Sequence, residues 1–321
     1  MAAASGMDRV TGTQQQGLVT VVIPCYNQAG YLGEAIASVR AQTYRNFEIV
    51  VVDDGSTDAT AEVAGSYPDV RLLRQRNAGL SAARNAGLGL GRGDYLVFLD
   101  ADDRLLPDAL RDGIESLARH PEAAFTSGHF RFIRGDGSTK SEFTQKPIEC
   151  PPYEGMLRGN YIGMHSTVMF RRAIFDDVGT FDTSLRSCED YDLYLRITRR
   201  HAVARHDRLV AEYRRHDASM SVRAGRMLDS ALDVLAAQRP FIRGDVRLIG
   251  ACQAGIRGLR RDLVRPLLSG IQGAVRTANW SRAAQLSLQL PTYLAPVLRA
   301  TWLDLRLTFE RIAAGQGRVQ A

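Results

Sequence analysis

The sequence predicts an α/β protein: an open, mostly parallel mixed sheet flanked by helices, followed by a helical region at the C-terminus. Three observations predict it. Between residues 18 and 103, short β-branched apolar runs alternate with stretches of helical period, the order of a parallel sheet covered on both faces. Three of those runs break off in polar clusters, at Tyr26-Asn27, at Asp53 to Ser56 and at Asp100 to Asp103. From residue 222 the apolar spacing is helical almost to the end.

Residues 18–24 are a β-branched run ended by Pro24, which suits a buried parallel strand. A helix is predicted over 31–42, with Leu32, Ile36 and Val39 on one face. A second strand over 47–52 stops at Asp53-Asp54-Gly55-Ser56-Thr57-Asp58, where Ser56 or Thr57 can cap the next helix. A weak third strand at 70–74 leads into residues 77–87, whose alanine-rich part is helical. The fourth strand begins at Tyr95 and ends in Asp100-Ala101-Asp102-Asp103.

Beyond it, residues 107–120 read as a helix, 123–144 as a hairpin turning at Arg134-Gly135-Asp136-Gly137, and 153–159 as a short helix. Residues 163–170 return through a strand, and Glu189, Asp190 and Asp192 open another helix. Two short strands are expected at 202–213. The helical remainder should be broken at Pro240, Pro266, Gly270, Gly273, Pro291 and Pro296.

With 321 residues and 45% hydrophobic composition, the chain can bury a substantial core. Cys25, Cys150, Cys188 and Cys252 are scattered without paired spacing, so neither a zinc site nor a disulfide framework is indicated, and a reducing, cytoplasmic setting is expected. Residues 1–17 are small and polar and read as a loose tail. No apolar run reaches the ~18–20 residues of a membrane span. The net charge of +6 is uneven: residues 222–321 hold 15 Arg against 6 Asp or Glu, a balance of +9 that leaves −3 for the rest. Such a split favours an anionic partner, a membrane surface or nucleic acid. The nucleic-acid reading lacks any aromatic platform or basic-motif spacing, and no nucleic-acid partner is expected.

Side chains two apart in an extended segment point the same way, so Asp100 and Asp102 can address one point. Two like charges that close need a cation between them, and Mg²⁺ or Mn²⁺ accepts one or two carboxylates while keeping places for substrate phosphates. The everyday alternative is a solvated acidic loop with Asp102 or Asp103 capping a helix. Ligands of open α/β sheets sit beyond the carboxyl ends of the strands, so the three polar clusters should share one crevice. No Gly-x-Gly-x-x-Gly or P-loop pattern is present, so phosphates would be held by a metal and arginine rather than by glycine loops.

The order of motifs resembles the family-2 inverting glycosyltransferases of the GT-A, Rossmann-like fold. The matching residues are Val-Ile-Pro-Cys-Tyr-Asn at 22–27 and Val-Val-Asp-Asp-Gly-Ser-Thr-Asp at 51–58. With them go Asn77-x-Gly79, Ala83-Arg84-Asn85, Gly93-Asp94-Tyr95 before Phe98-Leu99-Asp100-Ala101-Asp102-Asp103, and Glu189-Asp190-x-Asp192. The resemblance implies a nucleotide-sugar donor and a glycan or lipid-linked acceptor. It divides residues 18–221 into a nucleotide-sugar half, 18–103, and an acceptor half, 104–221, ahead of the helical region 222–321. It gives the donor Pro24, Tyr26, Asn27, Asp53, Asp54, Gly79, Arg84, Asp100 and Ala101, with Asp54 on the base. It gives the metal Asp102 and Asp100, with His216 near the diphosphate, and it makes Asp190, beside Glu189, the catalytic base.

The implied chemistry is coherent, since inversion by single displacement needs one base and one charge clamp rather than paired carboxylates. The Gln-x-x-Arg-Trp signature of processive members is missing, so transfer of one or a few sugars in polysaccharide or glycoconjugate synthesis is expected. The competing reading is a non-catalytic sugar-nucleotide or glycan-binding module on the same fold. At the C-terminus, Leu294, Val297, Leu298, Trp302, Leu305 and Phe309 form an apolar stripe beside Arg299, Arg306 and Arg311. It either packs on its own domain or lies peripherally at a membrane.

Overall fold

The structure, a computed structural model, describes residues 17–143, 151–215 and 224–317. Four strands follow the predicted alternation: β1 (Val19–Cys25), β2 (Phe47–Asp53), β3 (Val70–Arg74) and β4 (Tyr95–Phe98). Between them run α1 (Ala29–Arg40), α2 (Thr60–Gly65) and α3 (Leu80–Leu90). The strands pair in parallel in the order β3-β2-β1-β4. Alternate side chains of β1 serve opposite faces: Val19, Val21 and Ile23 join Leu32, Ile36 and Val39 of α1, while Val22 joins the core behind α3. Each such aliphatic side chain, fully removed from water, contributes roughly 1.5–3 kcal/mol.

The second half extends the sheet. After the two-residue strand β5 (Arg104–Leu105) come α4 (Ala109–Arg119), β6 (Ala123–Arg134) and β7 (Thr139–Phe143). Then follow α5 (Pro152–Arg158), a 3-10 turn at His165–Thr167, β8 (Val168–Arg171), α6 (Ile174–Val178), α7 (Glu189–Thr198) and β9 (Ala202–Arg215). The sheet continues β4-β8-β6-β9-β5 with antiparallel pairs except for β6 with β9, and β7 hangs on β6 as the expected hairpin. It is therefore mixed, with its parallel part carrying the polar clusters.

Three expectations need correction. The two short strands at 202–213 are one strand, β9, whose register against β6 slips between Ser127 and His129, so polar residues 206–208 are absorbed without ending it. Ser56 and Thr57 do not cap α2: their amides donate to Asp53 and Asn27, and Asp58 accepts from the Thr60 amide instead. The C-terminal helices also ignore several of their breakers. They are α8 (Ala224–Ala237), α9 (Arg239–Ile242), α10 (Val246–Arg276), α11 (Trp280–Ser287) and α12 (Leu290–Gly317). Pro266, Gly270 and Gly273 lie inside α10 and Pro296 inside α12. A proline costs a helix one hydrogen bond, and the buried Leu267, Ala274, Ala300 and Leu303 around them keep the helices whole.

Leu228, Leu232, Leu235, Ile249, Ile256 and Leu307 join Met156, Leu157 and Tyr194 in one apolar cluster, so the helical region and the sheet domain share a core. Among the described residues, no helix is long and apolar enough to cross a membrane.

Candidate active site at the strand ends

The carboxyl ends of β1, β2 and β4 open on a cavity of about 1020 Å³. One wall is Pro24, Cys25 and Tyr26 with Asp54 and residues 77–81; the floor is Asp100, Ala101 and Asp102; the far wall is Thr183, Ser184, Leu185, Arg186 and Glu189, with Tyr213 beside it. The three polar clusters thus meet as their strand-end positions required.

Asp54 builds its own wall. Oδ1 accepts from Gln75 Nε2 at 2.7 Å and from the Ala78 amide at 2.9 Å, and Oδ2 accepts from the Gly79 amide at 2.9 Å. This folds residues 77–79 around the carboxylate, with Gly79 at φ +92°, a conformation side chains other than glycine rarely adopt. Asp53 and Asn27, expected at the donor, do not line the cavity. Asp53 is fully buried, accepting from the Ser56 amide at 2.8 Å and pairing with Arg74 Nε at 3.0 Å. Asn27 sits at φ +52° and accepts from the Thr57 amide at 2.8 Å, tying the first strand-end loop to the second.

Arg84 is not a cavity-lining side chain either. α3 points it inward, 2% exposed, where Nη2 donates to Asp100 Oδ1 at 2.8 Å and Nη1 to Glu189 Oε1 at 2.5 Å. Its neighbour Asn85 exchanges two hydrogen bonds with the Phe181 backbone, at 2.8 and 3.0 Å, and so fixes the chain that leads to the far wall. Behind them His165 is buried, its Nδ1 2.6 Å from the Tyr194 hydroxyl. Burial and the Arg84 charge hold its imidazole well below the ordinary value, so it is neutral.

α7 starts at Glu189, entered through Cys188 at φ +62°. With Asn27, two of the three non-glycine residues at positive φ among those described border this site, where strained backbone tends to collect. Asp190, one residue past the lining Glu189, accepts from the Tyr191 amide at 2.7 Å. Burial and the charge of Glu189 push its carboxyl up to about 6.

The sequence reading missed Arg214. It is fully buried: its amide donates to Asp103 Oδ1 at 2.9 Å, Nε to the Asp102 carbonyl at 2.7 Å, Nη1 to the Gly135 carbonyl at 2.9 Å and Nη2 to Glu34 at 2.6 Å. The acidic tip is therefore pinned from β9. Asp103 points into this anchor and away from the cavity, and burial together with Asp102 and Asp100 raises its carboxyl well above the usual range. Arg214 stands one residue past the expected strand end at 213, and only the continuation of β9 to Arg215 turns it inward. His216 lies outside the described residues, as does Cys150.

No described group of three or more His, Cys, Asp or Glu is arranged to hold a metal by itself. Asp100 and Asp102, both facing the cavity, are an all-oxygen pair of the kind Mg²⁺ or Mn²⁺ takes when a substrate diphosphate completes the shell, so the residues present fit such an ion.

The profile of Glycosyl transferase family 2 matches residues 20–179. An uncharacterized glycosyltransferase of Rickettsia typhi is 32% identical over 220 residues, covering 66% of this chain and 68% of the relative. One of Rickettsia prowazekii is 32% identical over 225 residues, 68% of this chain and 70% of the relative. Among solved structures, S. aureus TarS 1-349 in complex with UDP-GlcNAc superposes with a TM-score of 0.51 at 16% identity, over 85% of this chain and 91% of that one. The mannosyltransferase PcManGT from Pyrobaculum calidifontis, in complex with GDP-Man and Mn²⁺, gives 0.58 at 19%, over 93% and 88%. At such identities the solved structures speak to the fold, which is that of GT-A enzymes, and the relatives speak to descent: the chain belongs to glycosyl transferase family 2.

Proposed function

We propose that the protein transfers a sugar from a nucleotide-sugar donor, a UDP-sugar foremost, to a hydroxyl of a glycan or lipid-linked acceptor. Transfer proceeds with inversion, without processive extension, and with Mg²⁺ or Mn²⁺, in polysaccharide or glycoconjugate synthesis. One observation carries the reading: Asp54, Asp100, Asp102 and Glu189, drawn from three separate stretches of chain, line one cavity of ligand size. Two solved structures of the same fold add weight, since TarS has been captured with UDP-GlcNAc and PcManGT with GDP-Man and Mn²⁺.

Asp54 spends three of the roughly four acceptor positions of a carboxylate on its own loop, which leaves one for the imide N–H of a uracil. Guanine offers a similar donor less directly. Tyr26, 49% exposed on the same wall, offers a ring face to the base. Asp100, held by Arg84, serves the ribose and the ion, and Asp102 the ion. When bound, that ion would draw charge from the departing diphosphate and so replace a general acid.

Asp190 takes the proton of the acceptor hydroxyl. The freed oxygen attacks the anomeric carbon from the side opposite the diphosphate, which leaves with the bonding electron pair. A base pushed up to about 6 is largely ionised at neutral pH while remaining basic enough to accept a proton. Glu189, ion-paired to Arg84, holds the turn that presents it.

Thermal shifts with UDP, dTDP and GDP, with and without Mn²⁺, test donor and metal together. UDP with Mn²⁺ should stabilise most, and Asp102→Asn should remove the Mn²⁺-dependent part. Stabilisation by no nucleotide, or a Mn²⁺ effect untouched in the variant, would overturn the assignment.

A further inference from the structure

We propose that the C-terminal helices rest on the surface of an anionic lipid bilayer, held there by an apolar stripe on α12 that faces away from the fold. The proposal goes beyond the transfer chemistry and does not rest on it. α12 is apolar on two sides. Tyr293, Ala300, Leu303 and Leu307 are buried against the fold, as its packing on α8 and α10 requires. Leu294, Leu298, Trp302, Leu305, Phe309 and Ile312 are 53% to 71% exposed. At 3.6 residues per turn the two sets fall on roughly opposite sides of the helix, and the outer set runs for about 27 Å. A globular helix ordinarily turns a polar face to water, and an outward row of large apolar side chains marks an interaction surface.

Charge and composition choose the occupant. The two tryptophans of the chain, Trp280 and Trp302, are 66% and 59% exposed, both on these helices. Tryptophan is favoured where an apolar interior meets a wet headgroup layer. The cations of residues 222–321 are all arginine, and the balance there is +9. Arg306 lies beside the stripe with its guanidinium 5.1 Å from the Trp302 ring centroid, placed to reach headgroups while its stem covers apolar surface. A second copy of the chain would set +9 against +9. An anionic bilayer offers the opposite sign and a hydrocarbon edge, worth about 1 kcal/mol per arginine near the surface in addition to the apolar burial. Since no described helix can cross a membrane, the stripe lies along it.

The full chain is mixed with phosphatidylcholine vesicles with and without phosphatidylglycerol, and co-sedimentation and tryptophan emission are recorded. We expect sedimentation and a blue shift with the anionic vesicles, both reduced by salt. The combined variant Leu298→Ser, Trp302→Ser, Leu305→Ser and Phe309→Ser alters exposed positions only, and its fold is checked by circular dichroism. It should bind the anionic vesicles about tenfold less. Indifference of the intact chain to anionic vesicles, equal binding by the variant, or a dimer that the variant dissociates in place of vesicle binding would each overturn the proposal. None of these readouts involves turnover, so they leave the transferase reading standing or falling on its own.

Discussion

Arg84 reaches Glu189 across 105 residues of sequence, Nη1 to Oε1 at 2.5 Å, while its Nη2 holds Asp100 at 2.8 Å. One buried guanidinium thus joins the nucleotide side of the cavity to its far wall. Separation of the two walls would leave a carboxylate buried without its partner, so the bridge resists it.

The first prediction follows from that cost. Arg84→Met should lower stability by about 3–5 kcal/mol, the range for breaking one side of a buried pair. Arg84→Lys should recover only part, because one ammonium nitrogen must serve both acids that Arg84 reaches with two separate nitrogens. Urea denaturation measures both, and wild-type stability in the Met variant would show that the bridge carries no such weight.

This bridge also marks what was legible in the sequence. The β-branched runs at 18–24 and 47–52 and the acids at their ends could be read because period and polarity change abruptly there. That Ala83-Arg84-Asn85 belongs to the site was readable as a resemblance, but not how. Arg84 contacts the acids from behind and Asn85 grips Phe181, relations that arise only when α3 meets the segment leading into α7. The continuity of β9 was hidden because polar residues 206–208 interrupt its alternation, and the continuity of α10 through Pro266 because tertiary packing outweighs a local breaker. Arg214 was hidden because the strand was expected to end at residue 213, so nothing in the local alternation placed this arginine inward.

Asp54→Ala should act on the donor wall. The substitution strands the Ala78 and Gly79 amides and the Gln75 side chain, which lose their shared acceptor. We expect about 1–3 kcal/mol of lost stability and a raised donor KM with a smaller change in kcat. An unchanged KM would remove Asp54 from donor recognition.

Gly255 tests the join between the helical region and the sheet domain. A Cβ there would overlap the carbonyl oxygen of Leu157 in α5, a backbone atom that cannot swing aside. At Gly87 the overlap is with the side-chain methyls of the buried Val22, a β-branched residue with little rotamer freedom but not a backbone atom. Gly255→Ala should therefore reach or exceed the upper end of the roughly 1–3 kcal/mol range for overpacking, and Gly87→Ala should fall below it. Chemical denaturation of the two variants orders them, and the reverse order would place the tighter contact at α3.

Asp190 should reveal itself through pH in two opposed ways. Its carboxyl is pushed from 3.8 to about 6 by burial and by Glu189, so the folded chain binds this proton more tightly than the unfolded one. The sign follows from linkage: this group costs no stability below about pH 4, costs progressively more as pH rises towards about 6, and costs a constant amount above that. Asp190→Asn should thus be more stable than wild type at pH 8 and indistinguishable from it at pH 4. Turnover moves the other way, because only the ionised carboxylate can take the acceptor's proton. Wild-type kcat/KM should fall below about pH 6, and the variant should lose roughly 10²- to 10⁴-fold at pH 8 with donor affinity retained. Thermal melts at the two pH values and a pH–rate profile measure both halves. A stabilised variant with full turnover would leave Asp190 as an ordinary buried acid, and an acidic limb near pH 4 would move the proton acceptor to another group.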